Sequence, residues 1–275
     1  MNLKQQRDDF VRRLQDVYPP AEADWLFFVF LERQAGISRT DFFARPGQTI
    51  DIPGLDEIIR RLASGEPWQY VAGETEFYGL HLQVDKRVLI PRPETEALAR
   101  IVCHEVNNPA RILDVGTGSG CLALALKKCF PRAEVTGMDF KPEVLELARR
   151  NAQINGLDVQ WVEGDILKDR FPAGPWDVVV SNPPYVLPAE KANMHRRVKD
   201  FEPAEALFVP ADDPVVYYRK IMDFFVAQAG ENARLYFEIN PKCTNDLEQT
   251  AQERHLDYKF LSYAGQKRFM RLQKK

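Results

Sequence analysis

Apolar positions change their spacing twice along this 275-residue chain. Up to about residue 70 they fall at helical intervals. Phe10, Leu14 and Val17 recur between charged residues, and a more apolar stretch over 21–34 follows Pro19-Pro20. Leu55, Ile58, Ile59 and Leu62 lie on one face of a third helix over 55–63, bracketed by Asp51-Ile52-Pro53-Gly54 and Gly65. This predicts a small helical bundle over residues 1–73. From 76 to 90 the period becomes two, with Phe77, Leu80, Leu82, Val84 and Val88 around Gly79 and Asp85-Lys86, which predicts a β-hairpin linker within 74–92. Residues 93–275 form the third segment. After a helix over 93–106, short apolar runs at 111–115, 134–138, 159–162 and 177–181 alternate with helical patterns at 120–129 and 142–155. That alternation predicts an α/β fold with a largely parallel sheet. A long irregular segment over 186–213, an insertion after the fourth strand of the sheet, follows, then a helix to 229, a strand at 235–239, a helix at 244–253 and two terminal strands. Loops of that length inside a compact domain are usually functional.

Composition narrows the classes. With 45% apolar and 28% charged residues the chain can bury a full core. Its longest unbroken apolar run, residues 25–31, is far below the roughly 20 residues that span a bilayer, and the polar start has no signal-peptide character, so a cytoplasmic protein without membrane attachment is expected. Cys103, Cys121, Cys129 and Cys243 make no C-x-x-C pair and the four histidines no cluster, so no disulfide or metal is expected and the thiols are expected mostly buried. The net charge is −3, and residues 1–80 carry nine Lys and Arg against thirteen Asp and Glu. An acidic bundle is a poor clamp for nucleic-acid phosphates, so no stable nucleic-acid binding is expected.

Two loops carry chemistry. Asp114-Val115-Gly116-Thr117-Gly118-Ser119-Gly120 joins the first strand of the sheet to its helix; the glycines let backbone approach a ligand, and a helix start presents N–H groups. Position 121 is Cys where a dinucleotide fingerprint needs its third glycine, so a nicotinamide cofactor is disfavoured. Asp139 follows the second strand, where a carboxylate can accept both hydroxyls of a ribose, and Asp165-Ile166 follows the third, within reach of an adenine. As single residues each acid reads equally as a turn or cap residue, but three at successive strand ends point to one nucleoside ligand. Asn182-Pro183-Pro184-Tyr185 ends the apolar run at 176–181. The Asn182 side-chain carbonyl and the Pro183 backbone carbonyl are acceptors, neither proline has an N–H, and Tyr185 adds a flat face. Such a turn suits a planar NH₂ group, either an amide or an arylamine.

In this order the loop, the ribose acid and the fourth-strand motif resemble the S-adenosylmethionine-dependent methyltransferases. The turn at 182–185 resembles the subset that methylates planar NH₂ groups. Gln69-Tyr70-Val71-Ala72-Gly73, Glu76-Phe77-Tyr78-Gly79, Leu89-Ile90-Pro91-Arg92-Pro93-Glu94-Thr95-Glu96 and Phe201-Glu202-Pro203 with Ala206-Leu207 are more specific. Together they resemble the peptide chain release factor N5-glutamine methyltransferases, the PrmC/HemK family, over about residues 66–268. The chain departs from that family at Asn240, where Glu-Ile-Gly is common, and at Ile166, where a larger side chain is usual.

The resemblance implies a Rossmann-like class I methyltransferase domain over 93–275 with a seven-stranded, mostly parallel sheet, preceded by a substrate-recognition bundle over 1–73. It implies S-adenosylmethionine as cofactor, S-adenosylhomocysteine as product, release factors as protein substrate and a monomer. Asp114, Gly116, Thr117, Gly118, Ser119, Gly120, Asp139, Asp165, Ile166 and Asn182 would bind the cofactor. Asn182, Pro183, Pro184 and Tyr185 would bind the substrate amide, with Asn182, Pro183 and Tyr185 catalytic. Arg92 reads equally as a tie to the cofactor side or the insertion, or as a surface ion pair. A nucleic-acid amino-methyltransferase and a non-catalytic cofactor-binding adaptor are the competing readings, separable by salt-sensitive DNA retention and by cofactor binding.

Overall fold

The computed structural model describes residues 1–45 and 47–275, which separate into two compact units. One consists of Met1–Gly73 with His195–Phe201, the other of Glu74–Met194 with Glu202–Lys275.

The first unit holds α1 (Leu3–Leu14), α2 (Pro20–Ala35), α3 (Arg39–Ala44), α4 (Leu55–Ala63) and α5 (Trp68–Ala72). Reciprocal capping boxes start two of them, Asn2 with Gln5 on α1 and Ser38 with Asp41 on α3, satisfying backbone N–H groups that a helix start leaves open. Pro20 opens α2, and Gly36 closes it in the left-handed region at φ 66°. Phe10, Leu14, Leu26, Phe27, Phe30, Leu31, Ile59 and Leu62 form its core, as their helical spacing predicts. The α3 and α5 helices were not predicted, because six and five residues are too few for a periodic signal.

In the second unit the hairpin of β1 (Glu74–Phe77) and β2 (Leu80–Gln83) turns through Tyr78 and Gly79, with φ of 54° and 64°. Two positive φ values match the right-handed twist of the flanking strands. Asn151 fixes the hairpin by accepting from Gln83 N–H at 2.7 Å and donating to Gln83 O at 3.0 Å. The sheet is built from β3 (Arg111–Val115), β4 (Glu134–Asp139), β5 (Gln160–Glu163), β6 (Trp176–Ser181), β7 (Ala229–Glu238), β8 (Leu256–Tyr263) and β9 (Gln266–Lys274), in the order β5-β4-β3-β6-β7-β9-β8. β5, β4, β3, β6 and β7 are parallel, whereas β9 is antiparallel to both β7 and β8. The expected seven-stranded, mostly parallel sheet is present.

Helices α6 (Pro93–Glu105), α7 (Cys121–Cys129), α8 (Pro142–Ile154), α11 (Val216–Gln228) and α12 (Thr244–Glu253) cover it. Alternate residues of one strand serve opposite faces. Ile112, Val178, Val180 and Tyr236 pack in the core with Leu98 and Leu124, while Leu113, Val179, Leu235 and Phe237 pack in the core with Ile221 and Phe225. Burial on both faces is why the predicted strands read as unbroken apolar runs. The segment expected to be irregular instead contains α9 (Arg196–Lys199), α10 (Ala204–Leu207) and a 3₁₀ turn over Pro188–Asn193. Within the first unit, the Arg197 guanidinium lies 3.8 Å from the Tyr18 ring centroid and donates to Val17 O at 2.9 Å and Glu22 Oε1 at 3.1 Å. These long-range contacts hold α9 and leave no local periodicity to read. Among the described residues, no helix is long and apolar enough to cross a membrane. Cys103 and Cys129 are only half-buried, while Cys121 and Cys243 are buried, so burial of the thiols is less complete than expected.

Candidate active site

The sheet reverses its winding between β3 and β6. From β3 the chain proceeds outward through β4 to β5, then returns to add β6 on the other side of β3. Loops leaving the carboxyl ends of such neighbours diverge, and the crevice between them is where open α/β sheets bind ligands. Val115 and Ser181 are in register at these ends, and Ser181 Oγ donates to Val115 O at 2.7 Å. The topology therefore brings the glycine loop and the Asn182 turn to one cleft. Its lining includes Asp114, Gly116, Thr117, Gly118, Ser119, Asp139, Asp165, Ile166, Asn182 and Pro184.

Gly116, Gly118 and Gly120 all adopt positive φ, at 74°, 55° and 82°, yet they do different work. A Cβ on Gly116 or Gly118 would meet nothing within 4 Å, whereas one on Gly120 would lie 2.8 Å from the Trp161 ring. Gly120 is not part of the cleft lining, and its lack of a side chain lets the loop pack on Trp161 of β5. Several N–H groups of the loop and helix start are engaged within the protein. Those of Gly116 and Thr117 donate to Met138 O at 2.9 and 2.8 Å, Gly118 N–H donates to Asp139 Oδ2 at 3.0 Å, and Ala123 N–H donates to Asp114 Oδ2 at 3.1 Å. They shape the loop rather than face a ligand.

The three acids have different environments. Asp114 is fully buried, and burial pushes its carboxyl up to about 7 against hydrogen bonds from the Thr117 hydroxyl and Ala123 N–H. Its Oδ1 is buried without a hydrogen-bond partner. Asp139 is also raised by burial, opposed by the N–H groups of Gly118 and Lys141. Asp165 is lowered, chiefly by Lys168, and caps the following 3₁₀ turn through Leu167 N–H at 3.0 Å. Thus Asp165 has the capping role its position allowed as well as a place on the cleft wall.

Asn182 donates from Nδ2 to Thr95 Oγ1 at 3.1 Å, and Thr95 donates to Glu238 Oε2 at 2.7 Å. Tyr185 Oη donates to Glu238 Oε1 at 2.9 Å, and the Arg268 guanidinium lies 5.7 Å from its ring centroid. Pro183 is buried, and neither it nor Tyr185 is part of the cleft wall, while Asn182 and Pro184 are. Asn240, the departure from Gly noted above, donates to Tyr185 O at 3.0 Å and Glu190 Oε2 at 2.8 Å. It braces the turn.

Sequence reading missed Thr95, Glu238 and Asn240 as site residues. Glu238 carried a signal: it is an acid within the apolar strand Leu235-Tyr236-Phe237-Glu238-Ile239. Arg92 binds Glu202 Oε1 at 2.5 Å, and Glu202, with a side chain only 1% exposed, also accepts from Ile90 N–H at 3.1 Å. Arg92 therefore holds the insertion. Pro203, Glu205 and Ala206 of that insertion line the cleft, and Lys141 pairs with Glu205.

These donors and acceptors fit a nucleoside ligand that carries positive charge. The unpartnered Asp114 Oδ1 needs a donor, and a nearby cation favours its ionised form. The open sides of Gly116 and Gly118 leave room for close approach. Among the described residues no three His, Cys, Asp or Glu could hold a metal ion.

Residues 112–201 match the family described as a methyltransferase domain. The release factor glutamine methyltransferase of Flavobacterium psychrophilum is 37% identical over 87% of this chain and 87% of its own. That of Bacteroides thetaiotaomicron is 38% identical over 85% of this chain and 86% of its own. A solved methyltransferase from Pyrococcus furiosus shares the fold at a TM-score of 0.51, with 19% identity over 70% of this chain and 87% of that one.

Proposed function

The chain belongs to the release factor glutamine methyltransferase family, and from that premise we propose that it methylates the glutamine amide of the Gly-Gly-Gln loop of peptide chain release factors. S-adenosylmethionine, when bound, supplies a methyl group activated on a sulfonium. Asp114, Gly116, Thr117, Gly118, Ser119, Asp139, Asp165 and Ile166 would hold it, with the Asp114 carboxylate serving a cationic group and Asp139 the ribose hydroxyls.

The chain's own task is alignment, because an amide nitrogen is a poor nucleophile whose lone pair is delocalised into its carbonyl. Asn182 Oδ1 and the Pro183 carbonyl would each accept one N–H of the glutamine amide, turning the nitrogen towards the methyl. Positioning of this kind supplies roughly 7–11 kcal/mol of a barrier. As positive charge grows on nitrogen, the same two acceptors stabilise it more strongly than they stabilise the ground state. No strong base is required, since the proton leaves the nitrogen afterwards to solvent. Tyr185 would flank the amide and exclude water. The helices of the first unit and the insertion would orient the protein substrate, in the cytoplasm where release factors work.

One observation carries this reading: Asn182 sits on the wall of the cleft that the glycine loop shares, with its Nδ2 engaged by Thr95 so that the carbonyl branch remains. Labelled methyl transfer to a purified release factor tests it. Label should require the Gly-Gly-Gln glutamine, and Asn182→Ala should lower kcat about 10²–10³-fold with little change in cofactor affinity. Label independent of that glutamine would defeat the proposal.

A further inference from the structure

An asparagine amide has two branches of similar size and opposite hydrogen-bonding sense, so using Asn182 as an acceptor requires something that fixes which branch faces the cleft. The neighbourhood of Asn182 contains such a device. Glu238, at the end of β7, is fully buried and receives two hydroxyls, Thr95 on Oε2 at 2.7 Å and Tyr185 on Oε1 at 2.9 Å. An ionised carboxylate only accepts. The single hydroxyl proton of Thr95 is thereby committed to Glu238, and its oxygen is left to accept from Asn182 Nδ2 at 3.1 Å. With Nδ2 engaged, Oδ1 is the branch that faces the cleft.

We propose that Glu238, acting through Thr95, is a positioning residue that holds Asn182 as a hydrogen-bond acceptor, and that its bond to Tyr185 fixes the other end of the same turn. The inference rests on the proposed use of Asn182 above. Burial raises the Glu238 carboxyl above its ordinary range, and the Thr95 and Tyr185 hydroxyls and the Arg268 guanidinium at 3.6 Å oppose that rise; the acceptor role argued here belongs to the ionised form. The alternative role for such a residue is purely structural, closing the end of a buried strand. Polarity separates the two, because a structural plug has no reason to discriminate the direction of a hydrogen bond at Asn182.

The test compares Thr95→Val, Thr95→Ser, Glu238→Gln and Asn182→Ala in methyl transfer from S-adenosylmethionine to purified release factor, with cofactor affinity by calorimetry. Thr95→Val removes the acceptor for Nδ2, and glutamine at 238 can accept only one of the two hydroxyls. Each should lower kcat about 10- to 100-fold, as for loss of a hydrogen bond to a charged group. KM and cofactor Kd should stay within about threefold, and Thr95→Ser, which keeps the hydroxyl, should restore kcat to within about threefold of wild type. If Glu238→Gln fails to fold, the Thr95 pair still decides. Unchanged kcat in Thr95→Val while Asn182→Ala loses turnover would overturn the relay alone. Loss of kcat in Thr95→Ser together with weakened cofactor binding would assign a structural role instead. Full turnover in Asn182→Ala would remove the reading beneath it.

Discussion

Replacing Asp114 by asparagine should stabilise the cofactor-free protein and weaken the cofactor complex, both in a pH-dependent way. The native carboxyl is raised to about 7 from the ordinary 3.8, with burial as the main cause. Below 3.8 the native and unfolded chains both hold the proton, and the native state keeps its full stability. Between 3.8 and about 7 the unfolded chain releases the proton while the native chain retains it, so stability falls as pH rises and the loss is complete above about 7. At 1.36 kcal/mol per unit this gap has a ceiling of about 4 kcal/mol. Asparagine has no such proton. Its oxygen can take the Thr117 and Ala123 donors, and its NH₂ falls where Oδ1 already has no partner. Urea unfolding at several pH values should therefore show a variant-minus-wild-type difference near zero at pH 4 that grows by a few kcal/mol by pH 8. Calorimetry with S-adenosylmethionine should show the converse. Wild-type affinity should rise up to tenfold per pH unit from 5 to 7 and then level, because a cationic ligand must expel the proton, whereas the variant binds weakly at every pH. Parallel stability curves, or equal affinity of the two proteins, would refute the assignment.

Two other substitutions probe the frame around the cleft. Arg92→Ala leaves Glu202 buried with only Ile90 N–H as partner, and because Arg92 is itself 28% exposed the cost should lie near the lower end of the range for broken buried pairs, about 3 kcal/mol. The deficit should shrink as pH falls through the raised Glu202 value and in Arg92→Ala/Glu202→Gln; urea unfolding reads both, and a pH-independent deficit would contradict the ion-pair account. Gly120→Ala should destabilise by about 1–3 kcal/mol, because its Cβ would meet Trp161 at 2.8 Å and Ala148 at 3.3 Å while φ is +82°. Gly118→Ala meets no atom within 4 Å and carries only the strain of φ +55°, so it should destabilise less than Gly120→Ala and lower cofactor affinity more, read by calorimetry; equal effects of the two variants on binding would contradict their separate roles.

What was legible in the sequence followed the range of the interactions that decide it. β3 and β6 were readable because burial on both faces demands a local apolar run. β7 was readable only from residue 235, since its first part includes Gly230-Glu231-Asn232 and crosses an irregularity in the pairing with β6 between Trp176 and Val178. The acids and the Asn182 turn were readable because polar groups at strand ends are marked by their neighbours in sequence. The packing role of Gly120 was not readable, because a glycine for ligand approach and a glycine for close packing look alike until Trp161 is in place. The bond from Thr95 to Glu238 spans 143 positions, and no local pattern connects them. Even so, half of that interaction was available: an acid inside an apolar strand of a sheet covered on both faces must find donors, since an unpaired buried carboxylate is too costly to keep. The sequence could require the donors, but only the fold, by setting β7 beside β6 and Thr95 at the start of α6, could identify them.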